Sequence, residues 1–178
     1  MKRLLGFLLI LVALIAIAVG AALATAIVGM RSGNRRFIRA FTKFQRDVVN
    51  PEVLKTAGDA GQPFSVIEHV GRTSGTEYET PVGARRDGDG WVVSLVYGRE
   101  ASWVQNLLAA GSGFLRVDGR RHRVDGFEIV PIDTAPLPED EAKAVAFFGI
   151  SEALRLHDAG EVDAAAETAT DNADDASS

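Results

Sequence analysis

The sequence predicts a mainly β domain with helices (α+β), a small antiparallel barrel, carried behind an N-terminal transmembrane helix. Three observations support this. Leu4 to Met30 is a run of 27 residues without a charge, in which Thr25 is the one polar side chain. Between Phe64 and Val130, short apolar segments of β character alternate with glycine-bearing turns and one helical pattern interrupts them, in the order β-β-β-α-β-β. From about Glu161 the chain is Ala, Asp, Glu, Thr, Asn and Ser with almost no large apolar residue, a composition that cannot sustain a core.

At 1.5 Å per residue the apolar run makes about 40 Å of helix, enough to cross a hydrocarbon core of about 30 Å with tilt. A cleavable signal peptide is the competing reading, with Lys2 and Arg3 as its basic start, Leu4 to Val19 as its apolar segment and Ala22-Leu23-Ala24 as the cleavage site. That apolar segment is long for a signal, and residues 25–30 remain apolar beyond the cut. Two basic residues precede the run and six follow within 16 residues, which places the following domain in the cytoplasm. The expected location is the cell membrane, single-pass, with the C-terminal domain cytoplasmic.

In residues 35–49, Phe37, Phe41, Phe44 and Val48 recur at helical spacing, while Arg35, Arg39, Lys43 and Arg46 lie largely off that face. Beside a membrane span such a basic amphipathic helix reads as interfacial, each cation adding on the order of 1 kcal/mol near an anionic leaflet. Packing of the apolar stripe on the next domain is the alternative. The chain thus divides into a transmembrane helix (residues 1–30), a juxtamembrane helix (31–50), a barrel domain (51–158) and a disordered acidic tail (159–178).

After Asn50-Pro51, a short helical piece and a loop lead to a strand at Phe64 to Val70. Gly71-Arg72-Thr73-Ser74-Gly75 turns the chain into a second strand, Glu77 to Arg86, and Asp87-Gly88-Asp89-Gly90 is a strong hairpin turn. Trp91 to Tyr97 is apolar at nearly every position, as in a strand buried on both faces. Ala101 to Ala110 is the one good helix of the domain, closed by Gly111. Phe114 to Val117 and Arg121 to Val130 form a closing hairpin across Asp118-Gly119. Glu139 to Phe148 opens with acidic residues as a helix start prefers. Ser151 to His157 reads as further helix.

Charge is unevenly spread. Residues 1–46 carry eight basic and no acidic side chains, residues 47–130 nine and twelve, and residues 131–178 two and twelve. The basic segment abuts the membrane span and the barrel is net acidic, so nucleic acid is not an expected partner. The absence of cysteine excludes disulfides, thiolate metal sites and cysteine nucleophiles, and redox chemistry would require a bound cofactor. His69, His122 and His157 are scattered and show no metal-ligand spacing, so they read as structural or solvated and no metal is expected.

Two loops carry candidate chemistry. The Gly71 to Gly75 turn offers the Arg72 guanidinium, the Thr73 and Ser74 hydroxyls and amides freed by the two glycines, a set suited to a phosphate or carboxylate or simply to a turn. Tyr97-Gly98-Arg99, at the end of the apolar strand, offers a close backbone approach and a second cation. Trp103 and Asn106 follow near the start of the helix, where pattern alone reads them as core and local hydrogen bonder.

Taken together, residues 69–130 resemble the deazaflavin-dependent nitroreductase family, through the G-R-x-[ST]-G turn at Gly71 to Gly75, Pro81, the Asp87-Gly88 hairpin, Gly98, the W-x-x-N-L start at Trp103, Asn106 and Leu107, and the closing hairpin. The resemblance implies a split β-barrel that binds reduced coenzyme F420 and passes hydride to an acceptor. It implies that Arg72, Thr73, Ser74 and Gly75 hold the coenzyme's phosphate or acidic tail, that Tyr97, Gly98 and Arg99 lie along the same groove, and that Trp103 and Asn106 shape its wall. No catalytic residue follows from it. The expected function is a membrane-anchored F420H2-dependent oxidoreductase of nitroreductase or quinone reductase type. Its expected partners are a lipophilic acceptor, such as a quinone or a nitro compound, and the membrane, with a homodimer left open. A non-catalytic membrane-tethered interaction module and an FMN-binding relative are the alternatives.

Overall fold

In a computed structural model of the chain, residues 50–162 are described continuously, together with residues 20–22, 24, 25, 28, 29, 36 and 43, all helical. The chain falls into two compact units, residues 1–41 and 42–178. In the first, Thr25 Oγ1 donates to the Ala21 carbonyl 2.8 Å away, one helical turn back. Among the described residues no helix is long and apolar enough to cross a membrane. Most of the predicted span, most of the juxtamembrane helix and the tail from residue 163 lie outside the described residues.

The second unit is a seven-stranded antiparallel sheet. A short helix α1 (Asn50–Val53) precedes β1 (Ser65–Val70), β2 (Glu77–Val82), β3 (Ala84–Asp87) and β4 (Gly90–Ser94). Then come α2 (Ser102–Ala110), β5 (Ser112–Val117), β6 (Arg120–Pro131), a 3-10 turn (Ile132–Thr134), α3 (Glu139–Phe148) and β7 (Glu152–Glu161). The order across the sheet is β2-β1-β5-β6-β7-β4-β3. Its two outer strands are consecutive in the chain and separated by Gly83 alone, so the sheet must curl until its edges approach at that corner. The result is a half-barrel, in keeping with the expected mainly β class with helices.

The predicted single strand from Glu77 to Arg86 is thus two strands. β2 pairs with β1, Ser65 opposite Val82, while β3 pairs with β4, Ala84 opposite Val93. The partner changes at Gly83.

A larger correction concerns Ser151 to His157, expected as helix. This segment is β7, and it sits between β6 and β4, with Leu154 opposite both Ile129 and Val93. Its Glu, Ala, Leu and Arg residues favour helix locally, but Leu154 and Leu156 point together into the main core, and tertiary pairing overrides that weak preference. The strand continues to Glu161, past the residue 158 boundary set for the barrel.

The main core joins Ile67, Val82, Trp91, Val93, Leu115, Val124, Leu154 and Leu156 from the strands and Leu95 just past β4 with Val104 and Leu107 from α2. Val92, Val130 and Ala153 form a second cluster. β4 therefore divides its residues between two clusters, in agreement with its predicted two-sided burial. A Cβ on Gly90 would overlap the Leu156 carbonyl oxygen, so glycine is what allows β7 to approach the start of β4.

Candidate functional site

The turn between β1 and β2 is closed by two backbone bonds, from the Gly71 amide to the Thr76 carbonyl and from the Gly75 amide to the Gly71 carbonyl, both 2.8 Å. Gly75 has φ of +69°, which favours glycine. A Cβ on Gly71 would overlap Ser74 Oγ and the Tyr78 ring, so that glycine is fixed by crowding. Ser74 Oγ accepts the Thr76 amide at 3.2 Å and lies 3.4 Å from the Tyr78 hydroxyl. Arg72, Thr73 and Ser74 are exposed.

α2 crosses behind this turn and packs on β1 and β5 through the buried Val104 and Leu107. Between them along the helix, Asn106 is also buried. Its Oδ1 accepts two bonds from Arg72, from the backbone amide at 3.2 Å and from the guanidinium Nη1 at 2.9 Å. On its other side, Asn106 Nδ2 is 3.1 Å from His69 Nδ1. His69 is buried on β1 on the same face as Ile67, its Nε2 lies 3.1 Å from Thr80 Oγ1 on β2, and its ring stacks on Tyr78 with 5.8 Å between centroids. Burial pulls the imidazole pKa down to about 4, so the ring is neutral at physiological pH. Thr80, His69, Asn106 and Arg72 thus make one line of polar contacts from the β1–β2 ladder to an exposed cation.

The second loop differs. Gly98 has φ of +74° and donates to the Leu95 carbonyl at 2.9 Å, closing a turn over Val96-Tyr97. Arg99 Nε lies 3.1 Å from both carboxylate oxygens of Glu152 at the start of β7, and a guanidinium nitrogen bonds the same carboxylate. The hydrogen bond from Arg99 holds the Glu152 carboxyl below the usual carboxylate range, despite partial burial, and the same bond raises the Arg99 pKa. Gln105 Nε2 donates to the Arg99 carbonyl at 2.9 Å and ties the loop to α2. Trp103 is half-buried against the main core. The structure therefore brings Arg72 and Asn106 into direct contact with Thr73, Ser74 and Gly75 around them, while the charge of Arg99 is balanced by Glu152.

Sequence reading set His69 aside as structural or solvated and did not anticipate Glu152. The signal for His69 is its place two residues after Ile67 on β1, a polar side chain on the inward face of a strand. Glu152 gave none, because its segment read as helix. Phe147 is exposed on α3 and meets Phe148 edge-on at 5.2 Å. His122 pairs with Asp158 and His157 with Asp125, and among the described residues no group of acidic or histidine side chains converges as a metal site.

The profile of the F420H(2)-dependent quinone reductase family matches residues 36–139, more than half of the chain. The chain belongs to that family. It is an oxidoreductase whose cofactor is coenzyme F420, and the family implies a quinone-like acceptor. Among solved structures the chain is similar to an F420 reductase, with 15% identity and a TM-score of 0.40 over 57% of this chain and 90% of that one. It is similar also to protein Atu2129 from Agrobacterium tumefaciens str. C58, with 15% identity and a TM-score of 0.43 over 62% of this chain and 55% of that one. An F420-H2 dependent reductase (FDR-A) is similar at 11% identity and a TM-score of 0.36, over 54% and 95% of the respective chains. No curated protein matches the chain.

The residues present fit an anionic coenzyme tail. Asn106 takes the Arg72 amide and one guanidinium N–H, which leaves the rest of the guanidinium fork exposed and undiminished in charge. The Thr73 hydroxyl and the amides of Thr73 and Ser74 have no protein acceptor among the described residues. A cation, hydroxyl groups and amides on one glycine-bounded turn are the donors that a phosphate or carboxylate requires.

Proposed function

We propose that this chain transfers hydride from reduced coenzyme F420 to a lipophilic quinone, from a domain held at the cytoplasmic face of the cell membrane by residues 1–30. The arrangement that carries the reading is the Gly71 to Gly75 turn, with Arg72 presented outward by a neutral, buried Asn106. Coenzyme F420, when bound, supplies the hydride; the protein supplies position and charge. Arg72 would pair with the phosphate or acidic tail, and Thr73, Ser74 and their amides would complete its hydrogen bonds. Tyr97 and Gly98 would follow along the groove, with Trp103 in its wall.

Two further observations support a lipophilic acceptor near a membrane. Val70 and Tyr78, on opposite faces of the ladder that ends in the turn, are 46% and 45% exposed, which puts an apolar side chain and an aromatic ring at the edge of the polar cradle. The uncharged run at Leu4 to Met30, followed by six cations, supports an anchor with this domain on the cytoplasmic side. Tethering raises the encounter rate with a substrate that is itself confined to the bilayer.

Equilibrium binding of reduced coenzyme F420 to the full-length chain, beside its Arg72→Ala variant, tests the cradle. Micromolar or tighter binding that weakens about tenfold or more on losing the guanidinium supports it; unchanged affinity removes it. Fractionation with and without residues 1–30 tests the anchor, and recovery of the intact chain in the soluble fraction would refute it.

A further inference from the structure

We infer that His69 is a positioning residue for coenzyme binding, which acts through Asn106 to fix the Arg72 guanidinium over the Gly71 to Gly75 turn. The inference rests on the proposed role of Arg72 and goes beyond it to a residue that touches no ligand.

Donor and acceptor roles fix each side chain in the line. A guanidinium and a backbone amide can only donate, so the Asn106 atom facing Arg72 must be the oxygen. The Asn106 amide nitrogen is then turned to His69, and it also donates. His69 Nδ1 must therefore accept, which leaves the ring hydrogen on Nε2, where Thr80 Oγ1 receives it at 3.1 Å. Each orientation in the line fixes the next. With the His69 acceptor gone, the Asn106 amide keeps its bonds from Arg72 but loses the one that anchors it to β1, and its buried nitrogen is left without an acceptor, so the side chain and the guanidinium it holds are less firmly placed.

The surroundings keep the imidazole in the required state. It is buried, with Tyr78 stacked on one face, Thr80 at Nε2 and Asn106 at Nδ1, and across the ladder on the other side β5 opens with Ser112 and Gly113, which carry no charge. The charge beyond Asn106 is the Arg72 cation, which disfavours a second cation on His69. Burial likewise favours the neutral ring. A neutral relay also serves the ligand: a carboxylate at position 106 would hold Arg72 more tightly and cancel the charge that the coenzyme tail requires.

The test uses the full-length chain with His69→Leu, His69→Asn and Thr80→Val, each alone and the first also with Arg72→Ala. Two quantities are read, the affinity for reduced coenzyme F420 and the hydrogen-exchange rate of the Arg72 amide, which is donated to Asn106. His69→Leu is expected to weaken the coenzyme about tenfold and to speed Arg72 exchange about tenfold, with the Ile67 and Leu115 ladder amides unchanged. His69→Asn, whose oxygen can accept from Asn106, is expected to restore both to within about threefold of wild type. Thr80→Val keeps the side-chain shape while removing the Nε2–H acceptor, and is expected to loosen both by about threefold. In the Arg72→Ala background His69→Leu is expected to cost no further affinity, because its effect passes through the guanidinium. Equal losses with and without Arg72, or unchanged Arg72 exchange in His69→Leu and Thr80→Val, overturn the inference. If Arg72→Ala itself leaves coenzyme affinity unchanged, the cradle falls and the inference with it; the inference alone fails when Arg72→Ala weakens binding and His69→Leu does not.

Discussion

Arg72 and Arg99 are the same residue type on two glycine-bearing loops beside one helix, and their surroundings give them opposite uses. Arg72 is held by the oxygen of a buried neutral amide, which orients the guanidinium and leaves its charge whole. Arg99 is held by the Glu152 carboxylate, which orients it equally well and cancels the charge. The first arrangement is of little use as a structural bond and suits an incoming anion; the second ties the loop before α2 to the sheet and offers an anion little. What distinguishes a binding arginine from a structural one is therefore the charge of the group that holds it.

The deepest difference between the regions lies behind the arginines, and it gives the largest expected effect. His69 is buried with its pKa drawn from 6.5 to about 4, so between those values the unfolded chain binds a proton that the folded chain refuses. The cost of protonating His69 should be absent above about pH 6.5, grow as pH drops toward 4 and stay constant below it, with a total on the order of 3 kcal/mol. Denaturant unfolding of wild type and His69→Asn across this range provides the check. The variant cannot titrate at this position and should lose less stability between the two pH values; equal slopes would show that the ring is protonated without cost in the fold.

The next effect compares the arginines directly. Arg72→Ala should weaken reduced coenzyme F420 about tenfold, roughly 1.4 kcal/mol, while Arg99→Ala should change it by less than about threefold. Isothermal titration on both variants would sharpen the contrast. Equal losses would break it and place both cations in the coenzyme groove, as the sequence resemblance implied. Raising salt should likewise weaken coenzyme binding in wild type and do so less in Arg72→Ala, since an exposed unpaired cation is the more screened.

Much of the fold was readable because turn chemistry is local. Asp87-Gly88-Asp89-Gly90 and Asp118-Gly119 set their hairpins whatever lies elsewhere, and the apolar run at Trp91 to Tyr97 announced a buried strand, which pairs as Gly90 to Ser94. β7 was not readable, since EALRLHDAGE has helix-forming composition and becomes a strand only because β6 and β4 leave a slot between them. The site followed the same division. Arg72 and Asn106 were singled out by a motif, but the contact between residues 34 apart in sequence is a product of how α2 packs on β1. His69 was visible as a polar residue on an inward face, yet nothing local named its partner. The neutralisation of Arg99 comes from a residue 53 positions away, in a segment whose composition favours helix and which is a strand.

The smallest expected effect probes that last pair. Glu152 has its pKa depressed below the ordinary 4.5 by the hydrogen bond from Arg99. A depressed carboxyl contributes stability above its unfolded pKa and loses it as pH falls through the folded value, so the pair should matter above about pH 4.5 and vanish in acid. Because Arg99 is half-exposed, with 53% of its side chain accessible, screening limits the contribution. Glu152→Gln should lower the thermal midpoint at neutral pH by no more than about 2 °C, and the difference from wild type should vanish once acid protonates the Glu152 carboxyl. The same substitution uncovers the Arg99 charge, which makes it the sharper test of the comparison. If the charge of the holding group decides the use of an arginine, Glu152→Gln should raise the affinity for reduced coenzyme F420 or for inorganic phosphate by up to about threefold, and Arg99→Ala should abolish that gain. Unchanged affinity in Glu152→Gln would mean that the Tyr97 to Arg99 loop lies too far from the bound anion for its charge to count, and that orientation by Asn106, rather than the lack of a carboxylate, sets Arg72 apart.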